Sequence, residues 1–251
     1  MAQLIAITGK GGVGKSSLAA LMIRDLLKHD KGPILALDAD PDANLATLLG
    51  IDVETTIGDL REEVLQQIKN FPAGMSKQSY IESGLHQLIV ENGPLDLITM
   101  GRGEGPGCYC YINNLLRKFA NDLMPAYQWV VMDNEAGMEH LSRRTAAWVD
   151  HLICVVNENP LSMDCARRID QLVSDMGRDI RKRYYLLNAV REDRADAVKE
   201  KLSDLKLEYL GAIPRDERLE ETIFQGQPVT ALDNSPAVTM IAEVMEKIGA
   251  N

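Results

Sequence analysis

Nine residues near the N-terminus, GKGGVGKSS at 9–17, constrain this chain more than anything else in it. They fit the pattern G-x-x-x-x-G-K-[ST] at Gly9, Gly14, Lys15 and Ser16. At average composition such a match arises by chance in roughly 1% of chains this long. The setting narrows it further. The apolar run QLIAI (3–7) leads into the loop, and residues 15–28 carry Leu18, Leu21, Met22, Leu26 and Leu27 at helical spacing. A strand entering a glycine loop that opens a helix is the arrangement that cradles phosphate. Gly9, Gly11, Gly12 and Gly14 let the backbone come close to an anion and turn its N–H groups inward. The helix N-terminus adds its positive dipole end. Lys15 is the candidate for the β and γ phosphates and Ser16 for Mg²⁺. Val13 and Ser17 complete the candidate nucleotide-binding stretch.

The rest of the chain alternates strand and helix signals. Apolar runs at 33–38, 95–100, 128–133, 151–157, 183–188 and 207–213 read as further strands. Helical segments are expected near 111–124, 161–177, 193–204 and 235–249, and short helices over 51–94. The strand runs are nearly continuous in apolar residues, the mark of a parallel sheet covered on both faces. No repeat, low-complexity tract or linker interrupts 1–251. The expected fold is α/β: a single P-loop NTPase domain, a mainly parallel central sheet with helices on both faces.

Two acidic loops belong with the phosphate loop. PILALD runs into DADPDANL, placing Asp38 and Asp40 at the carboxyl end of a strand, where open α/β sheets bind ligands. Asp42 and Asn44 read as turn and helix-cap residues. WVVMD ends at Asp133, a position suited to holding Mg²⁺ through water, and continues as NEAGMEH. Gly137 lets that loop approach a γ-phosphate. His140 reads as a loop or capping residue.

Charge and cysteines bound the function. The net charge is −10 and the pI about 5.0, which argues against nucleic acid as a partner. The N-terminus lacks a basic segment followed by a long apolar run, and no 18-residue apolar span occurs, so a soluble cytoplasmic protein is expected. Of the 4 cysteines, Cys154 and Cys165 read as small core hydrophobes. Cys108 and Cys110 differ: they lie in GRGEGPGCYCYINN, a polar, glycine-rich loop, and invite a metal, a disulfide or a redox role.

KGGVGKS, with its early lysine, resembles the deviant Walker A motif of the nitrogenase iron protein, MinD and ParA class of ATPases. The resemblance implies that Lys10 reaches the partner's nucleotide across a homodimer interface, acting like an arginine finger in trans. It implies that Asp38 lies near the Mg²⁺ shell and that Asp40 orients or deprotonates the attacking water. It implies that Asn188 and Pro214 flank adenine, hence ATP and ADP; no N-K-x-D sequence of the GTPase type is present. The catalytic set is then Lys10, Lys15 and Asp40. In a face-to-face dimer the loops 101–112 meet at a twofold axis, and Cys108 and Cys110 of both chains offer four thiolates to one Ni²⁺ or Zn²⁺, or to an iron–sulfur cluster.

The longer pattern, MGRGEGPGCYCYINNLLR with VVMDNEAGMEHLSRR and VVNENPLSM, resembles the CooC-type ATPases. Those deliver nickel to the nickel–iron–sulfur cluster of carbon monoxide dehydrogenase, and a related ATPase matures acetyl-CoA synthase by the same motifs. The resemblance implies a nickel metallochaperone with one of those two clients. The alternatives are an iron–sulfur carrier using the same cysteines and a MinD- or ParA-like positioning ATPase. Against the last, VTMIAEVMEKIGAN carries one lysine and two glutamates, a weak membrane binder. The nitrogenase iron protein has a second cysteine after its Walker B aspartate, whereas 134–144 here has none.

Overall fold

The computed structural model describes residues 2–66, 83–102, 122–135, 148–176 and 180–250. The strands are β1 (Gln3–Gly9), β2 (Ile34–Ala39), β3 (Val90–Asn92), β4 (Leu95–Thr99), β5 (Trp129–Asn134), β6 (Val149–Val156), β7 (Ile180–Val190) and β8 (Glu208–Pro214). The helices are α1 (Lys15–Lys28), α2 (Asn44–Leu49), α3 (Ile57–Gln66), α4 (Pro160–Met176), α5 (Glu192–Lys201), α6 (Glu217–Phe224) and α7 (Pro236–Ile248). The strands form one sheet in the order β3-β4-β2-β5-β1-β6-β7-β8. Every pairing is parallel except β3 with β4.

The expected α/β sheet with two covered faces is therefore present. Each residue of β2, β5 and β6 is buried, as a central parallel strand requires. One face packs Ile5, Ile7, Ala36 and Val131 against α1, α2 and α7, with Leu18, Leu21, Met22 and Leu26 of α1 buried as their spacing predicts. The other face packs Leu4, Ala6, Val130 and Cys154 against Met163, Ala166, Ile169 and Val173 of α4 and Val198 of α5. Cys154 is fully buried and Cys165 partly so, both unpaired, so the core reading of these two holds. Leu21 is wholly inaccessible, and cutting it to alanine would cost about 2–5 kcal/mol.

Two elements depart from expectation. The region 51–94 contains α3 but also the antiparallel edge strand β3. Three residues are too short to show a period, and the hairpin rests on Gly93 at φ 64. Helix α6 was not expected at all; its cap, Asp216, carried the only signal. Of the helix expected near 111–124, residues 111–121 lie outside the described residues. Among the described residues no helix is long and apolar enough to cross a membrane.

The chain runs outward from β1 in one direction to β2 and β4, then returns through β5 and crosses to β6 on the other side. The strand order thus reverses at β1, and the loops at the carboxyl ends of β1, β2 and β5 meet in the crevice that such a reversal opens.

Candidate functional site

The loop after β1 is shaped by contacts that only glycine tolerates. Gly9 sits at φ 147, where a Cβ would stand 2.5 Å from the Val155 carbonyl oxygen. Gly14 is left-handed at φ 87 and caps α1 without a side chain, and a Cβ there would strike the Asn188 amide. The first N–H groups of α1 therefore have no side-chain cap, and no acidic residue occupies the first turn. Such an end is open to an anion. Lys15 is 6% exposed, a buried cation at the same end. Lys10 is only part-buried, and its Nζ reaches no more than the neighbouring Gly11 carbonyl, at 3.5 Å.

The acidic residues converge on that loop. Asp38 and Asp133 are register partners on β2 and β5, and Asp133 is also level with Ile7 on β1. In a parallel sheet such partners project to the same face. The Asp38 carboxylate is turned onto its own loop, accepting from the Asp40 N–H at 3.2 Å and the Leu45 N–H at 2.9 Å. Burial pushes its pKa up to about 6, against those two hydrogen bonds. Asp40 is less buried and accepts from the Asp42 N–H at 3.0 Å, an Asx turn. Asp42 is exposed and part of that turn, as expected; the cap of α2 is Ala43, not Asn44, which is the first residue of the helix and makes no capping hydrogen bond.

Asp133 is the extreme case. It is inaccessible, and neither carboxylate oxygen makes a hydrogen bond of good geometry. Burial raises its pKa to about 7; the Ser16 hydroxyl and Lys15 are near enough to pull it down, while Asp38 and Asp40 push it further up. Two bare, buried carboxylate oxygens beside a hydroxyl fit a divalent cation, with Ser16 and Asp133 as the groups that would hold Mg²⁺, directly or through water. The ion would supply charge neutralisation between phosphate oxygens.

The two residues expected at the base lie on adjacent strand ends. Asn188 is level with Ile213, and Pro214 ends β8. A bulge after Asn188, with Ala189 at φ 52, breaks the pleat there. The Asn188 amide donates to the Val13 carbonyl at 2.8 Å, so this side chain also braces the phosphate loop.

Sequence reasoning missed two residues. Asp216 is 5% exposed and accepts from the N–H groups of Arg218, Leu219 and Ala237 at 3.0, 3.2 and 2.8 Å, joining the starts of α6 and α7. An aspartate just past a strand, before the acidic turn Glu217 and Glu220, was the available sign. Arg102 pairs with Asp42 across 60 residues of sequence, and no local pattern announces it.

Cys108, Cys110, Gly137 and His140 lie outside the described residues. Among the described residues no group of three or more His, Cys, Asp or Glu side chains could hold a metal ion. The stem of the cysteine loop is described as far as Arg102. It leaves β4 beside β2, and the Met100 N–H donates to the Asp38 carbonyl at 2.7 Å.

A glycine loop at a helix start, a buried lysine and a bare aspartate one strand away define the class: a P-loop nucleotide-binding ATPase. The family model described as the CobQ/CobB/MinD/ParA nucleotide binding domain matches residues 4–229, and the chain belongs to that family. An ATP-binding protein of uncharacterised role from Methanocaldococcus jannaschii is 38% identical over 249 residues, covering 98% of each chain. The carbon monoxide dehydrogenase accessory protein CooC of Rhodospirillum rubrum is 29% identical over 270 residues, covering 98% of this chain and 97% of that one. The MinD cell division protein of Aquifex aeolicus superposes with a TM-score of 0.71 at 23% identity, over 98% and 96% of the two chains. That likeness speaks for the fold.

Proposed function

We propose that this ATPase is a nickel metallochaperone that works as a homodimer and serves carbon monoxide dehydrogenase or acetyl-CoA synthase. The observation that carries the reading is the likeness to CooC along nearly the whole chain, together with the Cys108-Tyr109-Cys110 loop rooted beside the nucleotide site.

In this reading the α1 N-terminus, the loop Gly9–Ser17 and Lys15 bind the phosphates of ATP. Asp133 and Ser16 hold Mg²⁺. Asp40 orients the attacking water and takes up its proton, while Asp38 keeps the Asp40 loop folded through its two backbone bonds. Lys10, part-buried and without a strong partner of its own, extends to the partner's nucleotide. Asn188 and Pro214 receive adenine. Nickel is cargo, carried by Cys108 and Cys110 of both chains, with Zn²⁺ able to compete for the same thiolates. Dimer closure on ATP changes the spacing of the two loops and so the affinity for the metal. By linkage, metal then changes the affinity for ATP by the same factor.

The test is anaerobic nickel titration read by native mass spectrometry, without nucleotide, with ADP and with a non-hydrolysable ATP analogue. The expected result is one nickel per dimer, altered by nucleotide and lost in Cys108→Ala/Cys110→Ala. Nickel binding unchanged in the double variant overturns the thiol site. Visible absorption in anaerobically purified protein, lost in the same variant, would favour an iron–sulfur carrier instead.

A further inference from the structure

Resting on the role given above to Asp40, we propose that Arg102 is a positioning residue for ATP hydrolysis, holding the Asp40 loop through Asp42. The one-residue spacing of the three aspartates leaves their loop strongly acidic. Asp40 accepts a hydrogen bond from the Asp42 N–H, and the Ala43 N–H donates to the Asp40 carbonyl at 3.0 Å. Ala43 is itself left-handed at φ 53, which a residue with a Cβ tolerates only when its surroundings hold it there. The turn therefore needs an anchor from outside its own sequence.

Two anchors are visible, and both come from the end of β4. The Met100 N–H donates to the Asp38 carbonyl at 2.7 Å, which fixes the start of the loop. Two residues on, the Arg102 guanidinium bonds the Asp42 carboxylate, which fixes its far side. Between these residues Gly101 sits at φ 63, against Thr56, where a Cβ would collide with the threonine side chain. That turn brings the chain to the point where Arg102 meets Asp42. Asp40, between the two anchors, is held by bonds to both ends of its own turn. Removing the Arg102 end leaves the Asp42 side of the turn held only by its own backbone and by the Leu45 N–H bond to Asp38, with three mutually repelling carboxylates. Its carboxylate should then spend less time in the orientation that serves the water.

The pair is exposed, at 73% and 57%, so its effect should be modest. ATP hydrolysis by the full chain is measured against ATP concentration for the parent, Arg102→Ala, Asp42→Ala, the double variant, and the swap Arg102→Asp/Asp42→Arg. Each single variant is expected to lower kcat about two- to five-fold with KM nearly unchanged, the range an exposed ion pair spans. The double variant should fall no further than either single, because the pair acts as one unit. The swap should recover most of the loss, which a general weakening of the fold would not do. A parent-like kcat in Arg102→Ala, or a swap worse than both singles, overturns the proposal. Asp40→Asn runs beside them: full hydrolysis in that variant defeats the role of Asp40 itself, separately from Arg102.

Discussion

The carboxyl ends of β5 and β8 each place a buried aspartate at the same edge of the sheet, and the two could hardly be treated more differently. Asp216, just past β8, has three backbone N–H donors. Burial pushes its pKa up, but the Ser235 hydroxyl and those N–H groups outweigh it and hold the carboxyl below the usual range. Asp133, next to last in β5, has two bare oxygens and a pKa raised to about 7 by burial. A buried carboxylate with its hydrogen bonds filled stabilises the fold. One left bare is destabilising until something else supplies the charge. The comparison separates an aspartate whose hydrogen bonds tie two helix starts together from one left without a partner.

The sharpest way to break that distinction is Asp133→Asn. It should cut Mg²⁺-dependent ATP hydrolysis by about 100-fold or more, the scale on which removing an electrostatic stabiliser acts. Yet thermal unfolding of the nucleotide-free protein should shift little or rise, because an amide is cheaper to bury than an unpaired charge. A large fall in Tm would mean that Asp133 is structural after all.

Next in size is the pH dependence of the nucleotide-free protein. The folded-state pKa values of Asp133 and Asp38 are raised to about 7 and about 6 from 3.8. A raised group contributes its stability fully below the unfolded pKa and loses it as pH climbs through the folded value. Stability should therefore fall between about pH 4 and pH 7, by an amount on the order of 4 kcal/mol for Asp133 alone. Asp216 has the opposite sign, its contribution being present above 3.8 and lost as pH drops further. Urea unfolding across pH checks this, and Asp133→Asn should flatten most of the slope. Mg·ADP should raise Tm more at pH 8 than at pH 5.5, since its ion binds the deprotonated form.

Asp216→Ala makes the converse point. Leaving three N–H groups without their acceptor should cost about 2–3 kcal/mol, with kcat per folded molecule close to the parent's. Differential scanning calorimetry beside a steady-state assay separates the two. The smallest effect is expected at Asn188, whose amide bonds the loop after β1. Asn188→Ala loses one hydrogen bond to Val13, worth about 1 kcal/mol, and should raise the Kd for ADP several-fold in a fluorescence titration.

How much of this was legible beforehand depended on where each partner lies in the chain. The phosphate loop was readable because glycine spacing, strand and helix all fall within 3–28. Asp38 and Asp133 were readable as acidic strand ends, and their pairing followed once β2 and β5 proved to be neighbours. Asn188 was read for its place at a strand end, but its bond to Val13 spans 175 residues and belongs to no motif. β3 and α6 escaped because 3 and 8 residues give too few periods to count.

The sequence by itself determined the class of fold, the phosphate loop and the carboxylates set around it, since each follows from short-range spacing that backbone geometry enforces. Only the tertiary structure decided which aspartates are satisfied and which are bare, that Asn188 braces the loop, and that Arg102 reaches Asp42. Those outcomes depend on which strands lie side by side and on which N–H groups face each carboxylate. Packing the whole core settles both, and no local stretch of chain carries that information.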